Sequence, residues 1–493
     1  MWSEYQSKVF DFFQNGSGHG AVNAVAGSGK STTAVEAVIR AKVPNTQILA
    51  FNKHIEVDFN AKLEERGEVP LAKTYNAFAW GIFRQNARTK LDRDKTQNIL
   101  RYQVLGKGKE NEYWKFWSPM KRVIGILKNN FIDPRKPKVD LEKIILEYID
   151  EYDIDLKSSD VMKFVNYAFQ TYMISTQTLD VSDFDDQKFQ PVYREMEFPK
   201  VDLAVVDEYQ DTCPLEGKIL ELIRPDRLIV FGDPWQAIYS FKGTSKDSLA
   251  EFLTKYNATE LPLSICYRCP KEVVRHAQGI VKHMEYNPEA PEGEVQTIEH
   301  SSYVLNGPTY DDMVLARCNV DLVSSAMGFI RRNIPAFVRG KEVGDQLTNI
   351  IKRVTNGKSM HISDFTPAFL DYQSKEIESL KGRNAVTRLS MFEETCETIS
   401  VVSESCTTTD AILARLKTLF SDDANCQGIM HQSIHKSKGG EGKTGKDVYI
   451  IRPDKIPHPK AQNLDEERRI HYVGMTRVKG NGKLIYVRKP DDK

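Results

Sequence analysis

The segment Ala24-Val25-Ala26-Gly27-Ser28-Gly29-Lys30-Ser31-Thr32 constrains the fold of this 493-residue chain more than any other stretch. It stands between a short apolar run, Ala21 to Val25, and a helix expected over Thr33 to Arg40. In that setting small residues let the backbone amides of Gly27 to Ser31 turn toward a phosphate at the helix N-terminus. Lys30 then brings a positive charge to the β and γ phosphates, and the Ser31 hydroxyl can bind magnesium. The expectation is an ATP-binding loop from Ala26 through Gly27, Ser28, Gly29, Lys30 and Ser31 to Thr32. Ala24 stands where the strict motif has its first glycine, and a glycine-rich structural turn is the plain alternative.

A second apolar run, Val201 to Val206, ends in Asp207-Glu208-Tyr209-Gln210-Asp211. Asp207 at a strand end can hold magnesium through water, and Glu208 is placed to take a proton from an attacking water. Alone, an acidic cluster is equally well read as a solvated helix cap. After an apolar run, in a chain that also carries a phosphate loop, it supplies the other half of a hydrolytic site.

The length suits two to four domains. With 40% hydrophobic and 28% charged residues the composition is globular, and no run of about 18 apolar residues offers a membrane span. Met1 to Phe10 lacks the basic start, apolar middle and cleavage site of a signal peptide. The chain is therefore expected in a reducing compartment, cytoplasmic or nuclear, where its seven cysteines need no pairing. Lys plus Arg equals Asp plus Glu at 68 each, so any contact with nucleic acid must come from a local patch. Cys266 and Cys269 form a CxxC followed by His276 and His283, but a second ligand pair at finger-like spacing is missing, which disfavours zinc there.

Runs at Gln47 to Phe51 and Arg227 to Phe231 also have the length of buried parallel strands, which predicts one α/β sheet with functional residues at strand C-termini. A helix is expected over Glu4 to Gln14. From about Phe83 to Glu195 the texture becomes aromatic and Lys-rich, with helices such as Glu112 to Lys128 and Leu141 to Tyr152. A second α/β pattern starts near Thr259, with strands at Met313 to Ala316 and Ala336 to Arg339 around a helix at Asp321 to Arg332. It resumes near Gln427, after a polar, largely helical stretch whose patch Cys396 to Asp410 fits no element. The boundaries are then 1–82 and 196–258 for a first core domain interrupted by a helical insertion at 83–195. A second core domain spans 259–340 and 426–493, interrupted at 341–425.

The order of the motifs resembles the UvrD/Rep group of superfamily 1 helicases, with wording near the F-box DNA helicase branch, over roughly 250 to 300 residues. Gln6 resembles the group's adenine-reading glutamine. Phe51-Asn52-Lys53 and Thr74-Tyr75-Asn76-Ala77-Phe78 resemble two DNA-contacting motifs, which implies DNA roles for Phe51, Asn52, Thr74 and Tyr75. Gly232-Asp233-Pro234-Trp235-Gln236-Ala237-Ile238-Tyr239-Ser240-Phe241-Lys242-Gly243 resembles the coupling motif, in which Gln236 senses the γ-phosphate while Tyr239, Phe241 and Lys242 meet DNA. Leu263 to Arg268 resembles the motif whose tyrosine, here Tyr267, stacks on adenine and whose arginine, Arg268, reaches the γ-phosphate. Arg317 to Asn319 and Ile334 to Gly340 continue the pattern. His435 to Glu441 resembles the motif touching DNA, through His435, and ribose, through Glu441. Glu466 to Arg477 resembles the last motif, with Arg477 as second arginine finger.

The resemblance implies an α/β fold of two RecA-like P-loop core domains with parallel sheets, each carrying a mainly helical insertion. It implies an ATP- and magnesium-dependent helicase acting on single-stranded and tailed duplex DNA, moving 3′ to 5′. It implies a monomer or transient oligomer, with replication or repair proteins as partners and no membrane. Catalysis would fall to Lys30, Asp207, Glu208, Gln236, Arg268 and Arg477, and metal binding to Ser31 and Asp207. The same site would serve a translocase or switch that remodels protein–DNA complexes without unwinding; a kinase or GTPase would leave Gln236, Arg268 and Arg477 without purpose. Two departures stand out. Gly442-Lys443-Thr444-Gly445-Lys446 intervenes before the strand expected at Val448 to Ile451, and the second insertion, about 85 residues, is short for the group.

Overall fold

A computed structural model of the chain describes residues 2–152, 154, 156, 160–238, 247–381, 386–423, 426–438, 446–461 and 463–489, with backbone only at 386–388. Contact density divides it into two units, Met1–Ala24 with Gly29–Leu263, and Val25–Ser28 with Ser264–Lys493. Among the described residues no helix is long and apolar enough to cross a membrane.

The first unit is built on six parallel strands: β1 (Gly20–Ala24), β2 (Thr46–Ala50), β3 (Ala72–Thr74), β4 (Leu203–Val206), β5 (Arg227–Gly232) and β6 (Thr259–Leu263), in the order β3-β2-β4-β5-β1-β6. Alternation along the strands sorts their side chains onto two faces. Val22, Ile48, Leu203, Val205, Ile229 and Phe231 pack with Val9, Phe10 and Phe13 of the helix Glu4–Asn15. Ala21, Leu49, Ala204, Val206, Leu228 and Val230 face the other way. A sheet covered on both faces needs apolar residues at every position, which is why these strands read as continuous runs.

The second face is covered by the region 83–195. Its helices Glu110–Asn129, Leu141–Glu151, Val161–Gln177 and Asp186–Tyr193 lie between β3 and β4 in the chain. Phe116, Met120, Leu127, Phe164, Tyr172 and Phe189 share one core cluster with the strand residues of that face. The helical segment is thus continuous with the sheet's own core.

The second unit has its own six-stranded parallel sheet: β7 (Glu294–Ile298), β8 (Met313–Ala316), β9 (Ala336–Val338), β10 (Ile429–Ser433), β11 (Val448–Ile451) and β12 (Lys483–Val487), ordered β7-β12-β11-β8-β10-β9. The helices Lys341–Val354, Ile362–Lys381, Val386–Ser403 and Thr409–Leu419 lie between β9 and β10. The patch Cys396 to Asp410 now has a place: it ends one of these helices and caps the next through Thr408, whose side chain accepts from Ala411 N–H. Cys396 and Cys406 are buried in that core.

One boundary moves. Thr259–Leu263, expected to begin the second core domain, pairs along its length with β1 and is the edge strand of the first sheet. Its sequence hides this, because Pro262 and the exposed Thr259 and Glu260 suit an edge and spoil the apolar run of a central strand.

Candidate active site

β4, β5 and β1 are neighbours and parallel, so whatever leaves their C-termini converges at one end of the sheet. From β1 comes the phosphate loop. Gly29 caps the helix Lys30–Ala41 in the left-handed region, φ 78°, a conformation that glycine adopts without steric cost. Lys30 and Ser31 therefore sit in the first turn, where amides are unsatisfied and the helix dipole favours an anion.

From β4 comes Asp207, buried, and Glu208, whose backbone is itself left-handed at φ 52°. Holding a non-glycine residue there costs on the order of 1–3 kcal/mol, and such strain persists where neighbours over-determine it. Lys30 Nζ lies 2.7 Å from Glu208 Oε1, with both side chains mostly shielded from solvent. Burial disfavours the Lys30 charge, but Glu208, Asp207 and Asp233 together outweigh it and raise the lysine above its ordinary range.

From β5 comes Asp233, fully buried, which accepts from Gln236 Nε2 at 2.8 Å and from Trp235 N–H at 3.0 Å. Burial raises the Asp233 carboxyl while Lys30 draws it back down. Gln210, which sequence reasoning gave no role, ties the two strand ends together. Its Nε2 donates to Glu208 Oε2 and its Oε1 accepts from Asp233 N–H at 3.0 Å. Gly232 makes room for it, since a Cβ there would lie 3.0 Å from Gln210 Oε1. The signal in the sequence was only that a glutamine follows the acidic pair by two residues.

Gln6 is buried next to the loop's helix, donating from Nε2 to Thr33 Oγ1 at 3.1 Å. Its Oε1 also accepts from Ser3 N–H at 3.0 Å in a capping box, so reaching an adenine means exchanging these partners. Thr32 is exposed.

In the second unit, Tyr267 is 41% exposed, an aromatic ring open to a partner, and its N–H donates to Gly27 O at 2.8 Å. Ala26 N–H donates to Tyr472 Oη at 2.8 Å, and Ser28 is buried. Arg268 donates to Thr476 O at 3.2 Å. Arg477, 1% exposed, donates to Val473 O at 3.0 Å and to Ser437 O at 3.3 Å. Cys266 and Cys269 are buried and adjacent, and His276 is engaged by Tyr486 Oη at 2.9 Å. His435 is pushed down to about 4 by burial and by Arg317, so its ring is neutral near pH 7. Glu441 lies outside the described residues, as do Tyr239, Phe241, Lys242 and the stretch Gly442 to Gly445.

On the expected DNA side of the first unit the residues divide. Asn52 caps the helix Lys53–Glu64 by accepting from Ile55 N–H, and Thr74 caps Tyr75–Asn86 by accepting from Ala77 N–H. Phe51 is half-buried. Tyr75 is 3% exposed and belongs to the main core cluster, so in this conformation it packs the interior and cannot stack on a base. The physical reason is its place at the first turn of a helix whose apolar face lies on that core. A different aromatic takes the exposed position. Phe184 is 63% exposed, and its backbone carbonyl accepts from Asn76 Nδ2, in the same motif as Tyr75, at 3.0 Å. Nothing in the sequence marked it, since its flanks, Asp183, Asp185 and Asp186, are acidic.

An all-parallel sheet with a lysine-bearing loop after one strand, and an Asp-Glu pair after its second neighbour, is the arrangement of a P-loop nucleotide-binding fold. Residues 5–257, half of the chain, match the model of the UvrD/REP helicase N-terminal domain, and the chain belongs to that family. It is 23% identical to the ATP-dependent DNA helicase UvrD2 of Mycobacterium bovis over 323 residues, 56% of this chain and 46% of that protein. It is 30% identical to a probable DNA helicase II homolog of Mycoplasma capricolum over 121 residues, 24% of this chain and 15% of the relative. With the ATP-dependent DNA helicase PcrA of Leuconostoc citreum it shares 26% over 168 residues, 33% and 21% of the two chains. The matched stretches thus cover less than half of each of these relatives.

Proposed function

We propose that this chain hydrolyses ATP with magnesium and uses the energy to move 3′ to 5′ along single-stranded DNA and separate duplexes. The carrying observation is the shielded 2.7 Å pair of Lys30 with Glu208 at the meeting point of β1, β4 and β5. An arriving phosphate competes for Lys30. Once the lysine turns to it, the Glu208 carboxylate is released to accept a proton from water, while Gln210 keeps it aimed. Gln236, held by Asp233, reports on the γ-phosphate. The Ser31 hydroxyl and the Asp207 carboxylate are hard oxygen donors of the kind magnesium takes, and the ion bound there would neutralise phosphate charge.

Force needs two bodies whose separation follows the nucleotide. In this reading Arg268, Arg477 and Glu441 of the second unit clasp the γ-phosphate and ribose. The carbonyls that the two guanidinium groups now engage are neutral acceptors, and a phosphate oxygen forms the stronger, charge-assisted bond. Arg268→Ala should lower kcat by about 10³- to 10⁵-fold with ATP binding little changed. A loss below tenfold in a DNA-stimulated ATPase assay would exclude a finger role.

Phe184 joins the candidates for base stacking. Phe184→Ala is expected to weaken single-stranded DNA by about 1–3 kcal/mol, roughly 5- to 150-fold in Kd, without changing DNA-free ATPase. Unchanged DNA affinity by fluorescence anisotropy would remove it from the path. The reading as a whole is tested with tailed duplexes: ATPase stimulated by single strands and unwinding of a 3′-tailed but not a 5′-tailed substrate is the expected result. Stimulation without unwinding would favour a translocase that strips bound proteins, and no stimulation by any single strand would defeat the motor.

A further inference from the structure

We infer that Cys318, Glu394 and His458 form a binding site for one divalent transition-metal ion of the zinc class. The three residues are distant in the chain and come together only through the fold of the second unit. Cys318 follows β8 and caps the helix Asn319–Ile330, Glu394 is on the helix Val386–Ser403, and His458 is in the loop after β11. One donor atom from each lies within 4.8 Å of the other two. Zinc bonds of about 2.0–2.3 Å in tetrahedral geometry put donors roughly 3.5 Å apart, so side-chain rotations of about 1 Å close the set, with water as fourth ligand.

The donor chemistry fits. A thiolate, an imidazole and a carboxylate are the mixed set that zinc accepts and that magnesium or calcium would not select. The charges fit as well. Neighbouring cations are already matched: Arg317 holds Glu467 in a bidentate pair, at 2.7 to 3.1 Å, Lys455 holds both oxygens of Asp321 at 2.9 Å, and Arg452 holds Asp454. Among the described residues Glu394 forms no salt bridge; it accepts from Asn319 N–H at the start of a helix. A thiolate and a carboxylate would then offset the two charges of the ion.

Burial and the mutual presence of Glu394 and Asp321 push the Cys318 thiol up to about 12, and burial raises Glu394. Burial and Arg317 lower His458, which keeps its imidazole neutral as a ligand must be. Lys460 N–H donates to His458 Nδ1 at 3.2 Å; ligation through Nε2 puts the ring proton on Nδ1 and replaces that long bond. Binding expels the thiol proton, so affinity rises with pH. A metal here would fasten the helix Val386–Ser403 of the second insertion to the end of β8 and the loop after β11.

The test uses the full chain, stripped with a chelator and titrated with cobalt(II) as probe. One equivalent should give a thiolate-to-cobalt charge-transfer band that zinc abolishes by displacement, and the band should be stronger at pH 8 than at pH 6. It should vanish in Cys318→Ser and persist in Cys266→Ser. Because Cys318 is buried and its variant could misfold, the half-exposed partners carry a second test: Glu394→Gln and His458→Gln should each weaken cobalt at least about tenfold. Absence of the band in the unaltered chain, its survival in Cys318→Ser, its loss in Cys266→Ser, or unchanged affinity in both partner variants would overturn the site.

Discussion

Replacing Glu208 by glutamine should lower ATP turnover by about 10² to 10⁴-fold and leave ATP bound, more tightly than before. The loss follows from chemistry: an amide cannot accept the proton that attacking water must shed. The gain in binding follows from the ion pair. Lys30 Nζ sits 2.7 Å from Glu208 Oε1, and a phosphate must draw the lysine away from that carboxylate. Glutamine is neutral, so the competitor disappears while Gln210 retains a side chain of similar shape to bond. A fluorescent nucleotide reports Kd and a coupled assay reports kcat on the same preparation. Turnover within tenfold of the unaltered chain would show that Glu208 is not the base, and weaker ATP binding would show that its pairing with Lys30 does not compete with phosphate. Lys30→Ala makes the contrast, because it should lose ATP binding and turnover together.

What the sequence disclosed and what it withheld follow from range. The phosphate loop, the strands at Gln47 to Phe51, Val201 to Val206 and Arg227 to Phe231, and the Asp207-Glu208 pair are local patterns. The structure has these strands at Thr46–Ala50, Leu203–Val206 and Arg227–Gly232. β6 was hidden because an edge strand is half exposed and carries Pro262. Gln210 was invisible for another reason. Its value lies in joining Glu208 to the backbone of Asp233, which is 23 residues beyond Gln210 itself, and no spacing advertises a bond that only adjacent parallel strands create. Tyr75 and Phe184 show the same limit from the opposite side. Both are aromatic residues beside polar ones, and only packing decides that the first is core and the second faces solvent.

The exposed ring of Phe184 stands on a heavily charged interior, and disturbing that interior should produce the largest stability change in the first unit. Lys128 is wholly buried, with Nζ 2.8 Å from Asp183 Oδ2 and 2.8 Å from Asp186 Oδ1. Lys95 reaches Asp186 Oδ2 at 2.6 Å and the carbonyls of Ser175 and Thr178 at 2.9 and 3.2 Å. The two aspartates flank Phe184 and accept from each other's backbone N–H, so the loop is fixed from both sides. Lys128→Met leaves two buried carboxylates with one ammonium, a loss expected to cost about 3–5 kcal/mol. Hydrogen exchange along Glu110–Asn129 measures it, and a cost below about 1 kcal/mol would mean that the network is screened by water. Adding Asp183→Asn should restore much of the loss, since the amide needs no counter-ion. In the unaltered chain acid should break the same pair from its other side, because protonating Asp183 leaves Lys128 and Lys95 with one carboxylate. Burial raises the Asp183 carboxyl, but Lys128 outweighs it and holds the group below the ordinary 3.8. A folded pKa below the unfolded one gives stability that is complete above about pH 4 and lost as pH falls through the lower value. Protection of this helix should therefore decline below pH 4, before that of the β sheet of the same unit, and DNA affinity carried by Phe184 should decline with it.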